Sequence, residues 1–180
     1  MKEKIIISKR KVKYIRLEIN LSGVNIVTPD NIVFYEDDVI RKHQKWIDSK
    51  REKLNQIKNL SDSLTLYEHN NINELVDLYI KEIGEILKER PSKVAFRKMK
   101  IRWGSCNSQK KIIILNKNLR YLPEDLIKYV VVHEMCHLVI KNHKKAFWLL
   151  IQRFESNFVE KEQLLAAYTL KLNHSSLATL

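Results

Sequence analysis

Two histidines and a glutamate stand inside the most apolar stretch of the chain, as His133-Glu134-Met135-Cys136-His137 within a run that carries Leu126, Ile127, Val130, Val131, Met135, Leu138 and Val139. These apolar positions cover more than one helical face, which predicts a central, buried helix. Pro123 suits its first turn, with Glu124 and Asp125 near the positive end of the helix dipole. Burying polar groups without partners costs several kcal/mol. Histidines four apart on a helix differ by about 40° of rotation and roughly 6 Å of rise, so both imidazoles can face one metal ion. Glu134 lies on an adjoining side, within reach of a water on that ion. A hydrogen-bonded core group is the bland alternative, but metal ligation accounts for the burial directly. With 6 His and 14 Glu in 180 residues, the H-E-x-x-H pattern arises by chance only about 0.015 times per chain of this composition, so the signal is specific.

A catalytic zinc usually takes three protein ligands and leaves its fourth position to water. His143 is the nearest candidate for the third. In a continuous helix it would point about 120° away from the ligand face, so the helix must break before it. Lys141-Asn142 offers the break, because Asn tolerates the left-handed conformation that ends helices. Glu155 or Glu160 on the following helix is the fallback ligand. The spacing His133, His137, His143 equals that of the metzincin pattern, which has a turn-forming glycine where this chain has Ile140.

Elsewhere the chain reads as one ordinary globular length with a smaller amino-terminal unit. Its 44% hydrophobic content supports a sizeable core, and only 3 Gly and 3 Pro argue against a turn-rich all-β fold. Tyr14–Ile19 and Val24–Val27 are predicted to pair as a β-hairpin across Leu21-Ser22-Gly23. Asp37 and Asp38 open an amphipathic helix ending near Asn59, followed by a linker from Asn59 to Asn70. The expected division is residues 1–60, a hairpin plus helix packed on or continuous with the catalytic domain, and residues 70–180, the catalytic domain itself. A second helix is predicted from about Asn71 to Glu89. Two extended stretches, Val94–Trp103 and Lys111–Asn116, follow, joined by a turn at Gly104-Ser105-Cys106-Asn107-Ser108. A last helical region is expected after His143. No apolar run approaches the roughly 20 residues of a membrane span, and the MKEKIIISKRK start is too weakly apolar for a signal peptide. Two cysteines, Cys106 and Cys136, form no framework. A cytoplasmic protein with reduced thiols is expected.

Arg102-Trp103-Gly104-Ser105-Cys106, Tyr121-Leu122-Pro123, Tyr129 through Leu138, and Asn142-His143 with Phe147-Trp148 together resemble the YgjP-like metallopeptidase family, related to SprT-like zinc peptidases. The Ser8-Lys9-Arg10-Lys11 start adds to the likeness, which extends to about Phe158. The resemblance implies an α+β, zincin-like domain: a small antiparallel or mixed sheet with an H-E-x-x-H active-site helix. It also implies one Zn2+ per chain on His133, His137 and His143, with Glu134 as the catalytic residue. The expected function is zinc-dependent hydrolysis of peptide bonds in a peptide or protein substrate, in which a zinc-bound water with its pKa lowered to about 7 gives its proton to Glu134. Tyr121 and Arg102 are candidates for stabilising the oxyanion. Lys111–Asn116 is either a core strand or one that pairs with extended substrate.

The chain carries 33 Lys+Arg against 21 Asp+Glu, a net charge of +12. Pro91–Arg120 holds nine basic residues and no acidic one. That block supports an alternative in which a basic protein associates with nucleic acid, or a peptidase acts on DNA-bound proteins. A zinc hydrolase of non-peptide amides is a third reading.

Overall fold

The computed structural model describes residues 4–177, with side chains described through Asn173. The expected 1–60 and 70–180 divisions extend beyond these residues at both ends. The chain forms two compact units, Met1–Leu60 and Ser61–Leu180. No helix among the described residues is long and apolar enough to cross a membrane.

The first unit contains β1 (Ile5–Lys9), β2 (Arg16–Asn20), β3 (Gly23–Thr28) and all but the last three residues of the helix α1 (Glu36–Ser63). β2 and β3 form the predicted antiparallel hairpin. A third strand joins it: β1 runs parallel to β3, giving the order β1-β3-β2. The alternation signal is absent from Ile5-Ile6-Ile7, and this strand was not expected. Gly23 makes the parallel pairing possible. Its φ is +140°, and a Cβ there would meet the Lys4 carbonyl oxygen at 2.1 Å, a collision no side chain escapes. The buried positions Val24, Ile26 and Val27 all lie on β3, as befits the central strand. α1 runs through Ser63, so the predicted linker at Asn59–Asn70 is helical over its first part.

The second unit is α+β. It comprises α2 (Ile72–Leu87), β4 (Lys93–Arg97), β5 (Gly104–Asn107), β6 (Ile112–Asn116), α3 (Glu124–Val139), α4 (Lys145–Gln152) and α5 (Phe158–Leu177), with a 3₁₀ turn at Lys117–Tyr121. α2 follows its predicted three- and four-residue periodicity, buries Val76, Tyr79 and Ile83, and stops at a left-handed Lys88 ahead of Pro91. α3 is the buried helix expected: Leu126, Ile127, Tyr129, Val130, Val131, Val132, Met135 and Cys136 are all sequestered. The core joins these residues to Ile113, Leu115, Leu119, Phe147 and Ile151.

The sheet has the order β4-β6-β5, with β4 parallel and β5 antiparallel to β6. Two expectations change here. Lys111–Asn116 supplies the central strand, hydrogen-bonded on both sides, so no peptide can add to it. Gly104–Asn107, expected as a turn, is instead the edge strand β5. The extended run after Pro91 ends at Arg97, and residues 98–103 form an irregular loop. Leu115, fully buried on β6, carries both flanking strands against the core. Leu115→Ala is expected to lower stability by about 2–5 kcal/mol, read as a fall in the urea unfolding midpoint; an unchanged midpoint would show that β6 is not the keystone of this sheet.

Candidate metal centre

α3 presents His133 and His137 from one face, and the chain then turns back to bring His143 to them. The turn differs from the expected one. α3 ends at Val139, and Ile140 takes an extended conformation, φ −124° and ψ 110°, while its N–H donates to the Cys136 carbonyl. Asn142 does not adopt the left-handed conformation, since Lys88 and Lys111 are the non-glycine residues with positive φ. An extended residue needs no glycine, which explains why Ile140 is tolerated there. Asn142 holds the turn differently, its Oδ1 accepting from the Lys144 N–H at 3.2 Å. Trp148 Nε1 donates to the His143 carbonyl at 3.0 Å and pins the same loop to α4.

The three imidazoles converge. His143 Nε2 lies 3.0 Å from His133 Nε2 and 3.1 Å from His137 Nε2, and the cluster offers one ligand atom per residue, all within 4.8 Å of one another. His137 donates from Nδ1 to the Ile140 carbonyl at 3.0 Å, which leaves its Nε2 lone pair directed into the cluster. Burial, together with the neighbouring His137 and His143, drives the His133 pKa down to about 3, and burial also lowers that of His137. Two of the three rings are thus held neutral, the protonation state that ligates metal. Nitrogens at 2.0–2.1 Å from a tetrahedral zinc stand roughly 3.3 Å apart, close to the spacing found. The donor set fits a divalent ion of the zinc type. Glu155 and Glu160, the fallback ligands, are outside the cluster; Glu155 accepts from the buried Lys161 Nζ at 2.6 Å.

Glu134 is 6% exposed, and its Oε2 has no hydrogen-bond partner. Burial raises its pKa to about 8, opposed by the positive charge of Arg102. The carboxylate is backed by the edge strand. A Cβ at Gly104 would stand 2.6 Å from Glu134 Oε1 and 2.7 Å from its Cγ. Gly104 is therefore the one residue type that lets β5 pass this close to α3. The sequence grouped it with a turn; its real constraint is a neighbour thirty residues downstream.

Around these groups lies a cavity of about 570 Å³. It is lined by Arg102, Trp103 and Cys106 from β5 and the loop before it, by His133, Glu134 and His137 of α3, by Lys141 and His143 from the loop that follows, and by Glu162, Leu165 and Thr169 of α5. The sequence predicts this last helical region, with Glu160 on it as a fallback ligand, but not the contribution of Glu162, Leu165 and Thr169 to the cavity wall. Glu162 accepts from the Tyr129 hydroxyl at 2.7 Å and stands 3.9 Å from His133 Nδ1, a contribution that no motif announces. Trp103 packs against α5, its Nε1 donating to the Leu165 carbonyl at 3.2 Å. Cys136 is buried away from the cavity and Cys106 borders it; burial pushes their thiols up to about 12 and about 11, respectively. Tyr121, expected near the oxyanion, does not line the cavity, whereas Arg102 does. Of the nine basic residues in Pro91–Arg120, Arg102 alone lines it, and Lys111 is paired with Glu89 at 2.7 Å. The basic block as a whole does not ring the site.

No curated protein matches the chain. The family model described as YgjP-like, metallopeptidase domain, matches residues 56–168, more than half of the chain. Among solved structures, the chain is similar to the metallopeptidase zymogen abylysin of Pyrococcus abyssi, with 26% identity over 43% of this chain and 77% of that one and a TM-score of 0.40. It is also similar to the metallopeptidase zymogen jannalysin of Methanocaldococcus jannaschii, with 23% identity over 52% of this chain and 92% of that one and a TM-score of 0.42.

Because burial raises the folded-state pKa of Glu134 above the ordinary carboxylate value of 4.5, the folded metal-free chain keeps a proton that the unfolded chain releases between about pH 4.5 and pH 8. Stability is lost as pH rises across that window. Glu134→Gln removes this dependence. In urea titrations of metal-free protein, the variant is expected to gain on the wild type between pH 5 and pH 8.5; parallel pH profiles would contradict the burial of an uncompensated carboxyl.

Proposed function

Since the chain belongs to the YgjP-like metallopeptidase family, we propose that His133, His137 and His143 hold one Zn2+ per chain and that Glu134 is the general base of peptide-bond hydrolysis. One observation carries this reading: three imidazole nitrogens converge beside a buried carboxylate with an unpartnered oxygen. When bound, the ion supplies Lewis-acid chemistry, lowering the pKa of a water from 15.7 to about 7 and polarising a carbonyl.

The remaining work falls to the chain's own residues. Positive charge in the histidine cluster favours the ionised form of Glu134, which burial alone would keep protonated at neutral pH. Glu134 then accepts a proton from the attacking water at a carboxylate oxygen, as the water oxygen bonds to the scissile carbonyl carbon. The same proton passes to the departing amine nitrogen as the C–N bond breaks. The Ile140 carbonyl keeps His137 in the tautomer with Nε2 free, and Trp148 keeps the His143 backbone in place. Gly104 preserves the room in which Glu134 sits. The outer edge of β5 pairs with no other strand among the described residues and borders the cavity, so an extended peptide can add to it in antiparallel fashion. Free Cys106 and Cys136 support a reducing, cytoplasmic setting.

Elemental analysis of purified or zinc-reconstituted protein is expected to find about one zinc per chain, lost in His137→Ala and retained in Glu134→Gln. Peptide hydrolysis by Glu134→Gln is expected to fall by about 10²–10⁴-fold, the usual contribution of a general base. A wild type that binds no divalent metal, or a Glu134→Gln variant with undiminished turnover, would overturn the proposal. Gly104→Ala tests the same carboxylate from the strand side: hydrolysis should fall while zinc content stays near one per chain, and unchanged hydrolysis would show that Glu134 has room to spare.

A further inference from the structure

Arg102 combines a fixed backbone with an unengaged head group. The loop that carries it is clamped by Asn116, only 4% exposed. Asn116 Nδ2 donates to the Met99 carbonyl at 2.9 Å and to the Arg102 carbonyl at 2.8 Å. Its Oδ1 accepts from the N–H groups of Met99 and Asn118, and its own N–H donates to the Trp103 carbonyl at 2.8 Å. The amide's hydrogen-bonding capacity is fully used. The guanidinium is different. It lines the cavity, acts electrostatically on Glu134, and among the described residues forms no hydrogen bond or ion pair. Lys141, a second cation on the cavity wall, is likewise without an acidic partner. The wall's acidic residue, Glu162, already accepts from Tyr129.

Position supplies the direction. Gly104 abuts Glu134, so the scissile bond lies near Gly104, and Arg102 precedes it by two residues. A peptide antiparallel to β5 runs its carboxyl-terminal side toward the start of that strand, and hence toward Arg102. Resting on the peptidase reading above, we propose that Arg102, mounted by Asn116, binds a carboxylate of the substrate just downstream of the scissile bond, whether the chain terminus or an acidic side chain. Guanidinium matches carboxylate in geometry and charge. Such a contact makes the site selective for peptides that end, or carry Asp or Glu, shortly after the bond cleaved.

The test measures binding apart from turnover, using zinc-loaded Glu134→Gln protein and following tryptophan fluorescence, since Trp103 borders the cavity. Three amino-terminally acetylated hexapeptides serve as probes: one with uncharged side chains and a free carboxyl terminus, the same peptide amidated, and an amidated one with a single internal glutamate. One or both carboxylate-bearing peptides should bind about tenfold more tightly than the neutral amide, in keeping with a charge-assisted hydrogen bond. Which of them does so identifies the source. Adding Arg102→Gln should abolish the difference while leaving the neutral amide's affinity unchanged, and Arg102→Lys should restore part of it. Equal binding of all three, a uniform loss in Arg102→Gln, or no binding at all would overturn the proposal. Separately, protein with Glu134 intact is assayed for hydrolysis: discrimination without cleavage counts against the peptidase reading and leaves the carboxylate contact standing.

Discussion

A buried carboxylate on an apolar helix is the constraint around which the second unit is arranged. Glu134 gives up solvation without gaining a hydrogen-bond partner for Oε2, and the charge of Arg102 offsets only part of that cost. The helix that carries it is buried almost all round, so α3 cannot rotate to relieve the charge without exposing Ile127, Val131 or Met135. Such a group is tolerated where it serves chemistry, and the convergence of three imidazoles beside it supports the metal-assisted hydrolysis proposed for it.

Several features otherwise unrelated in sequence follow from the same requirement. β5 must pass close to α3 to close the cavity, and only a glycine lets it do so. Ile140 must be extended, because its carbonyl has to meet His137 Nδ1 while the chain turns toward His143. Trp148 both donates to the His143 carbonyl and stacks near the ring cluster, so α4 serves the loop as well as the core. The fixed loop at Met99–Trp103 belongs to the same design: a fully bonded buried amide holds the backbone, and the Arg102 cation is left at its surface.

How much of this was legible in the sequence depended on the range of the interaction. The α3 helix and its two histidines followed from a spacing of four residues, which helical geometry converts directly into position, whereas the return of His143 required a break in the helix whose form the spacing does not specify. The α2 periodicity was equally readable. β5 was not, because Gly-Ser-Cys-Asn carries neither alternation nor β-branched residues, and its strand character comes from pairing with β6. β1 escaped notice for a related reason: three consecutive isoleucines have no period, and their parallel partner lies some twenty residues away. Residue type alone predicts a left-handed Asn142, whereas the turn is made by an extended Ile140 whose carbonyl meets His137 Nδ1. The α5 wall and the partnership of Tyr129 with Glu162 rest on long-range packing that no local pattern encodes.

The identity of the side chains in the metal's ligand sphere decides the mechanism, and X-ray absorption at the zinc edge of the zinc-loaded protein reads that sphere directly. Three imidazole nitrogens with one light oxygen or nitrogen at about 2.0–2.1 Å is the predicted result. A sphere of two imidazoles, or a sulfur scatterer at about 2.3 Å from Cys106, would contradict it.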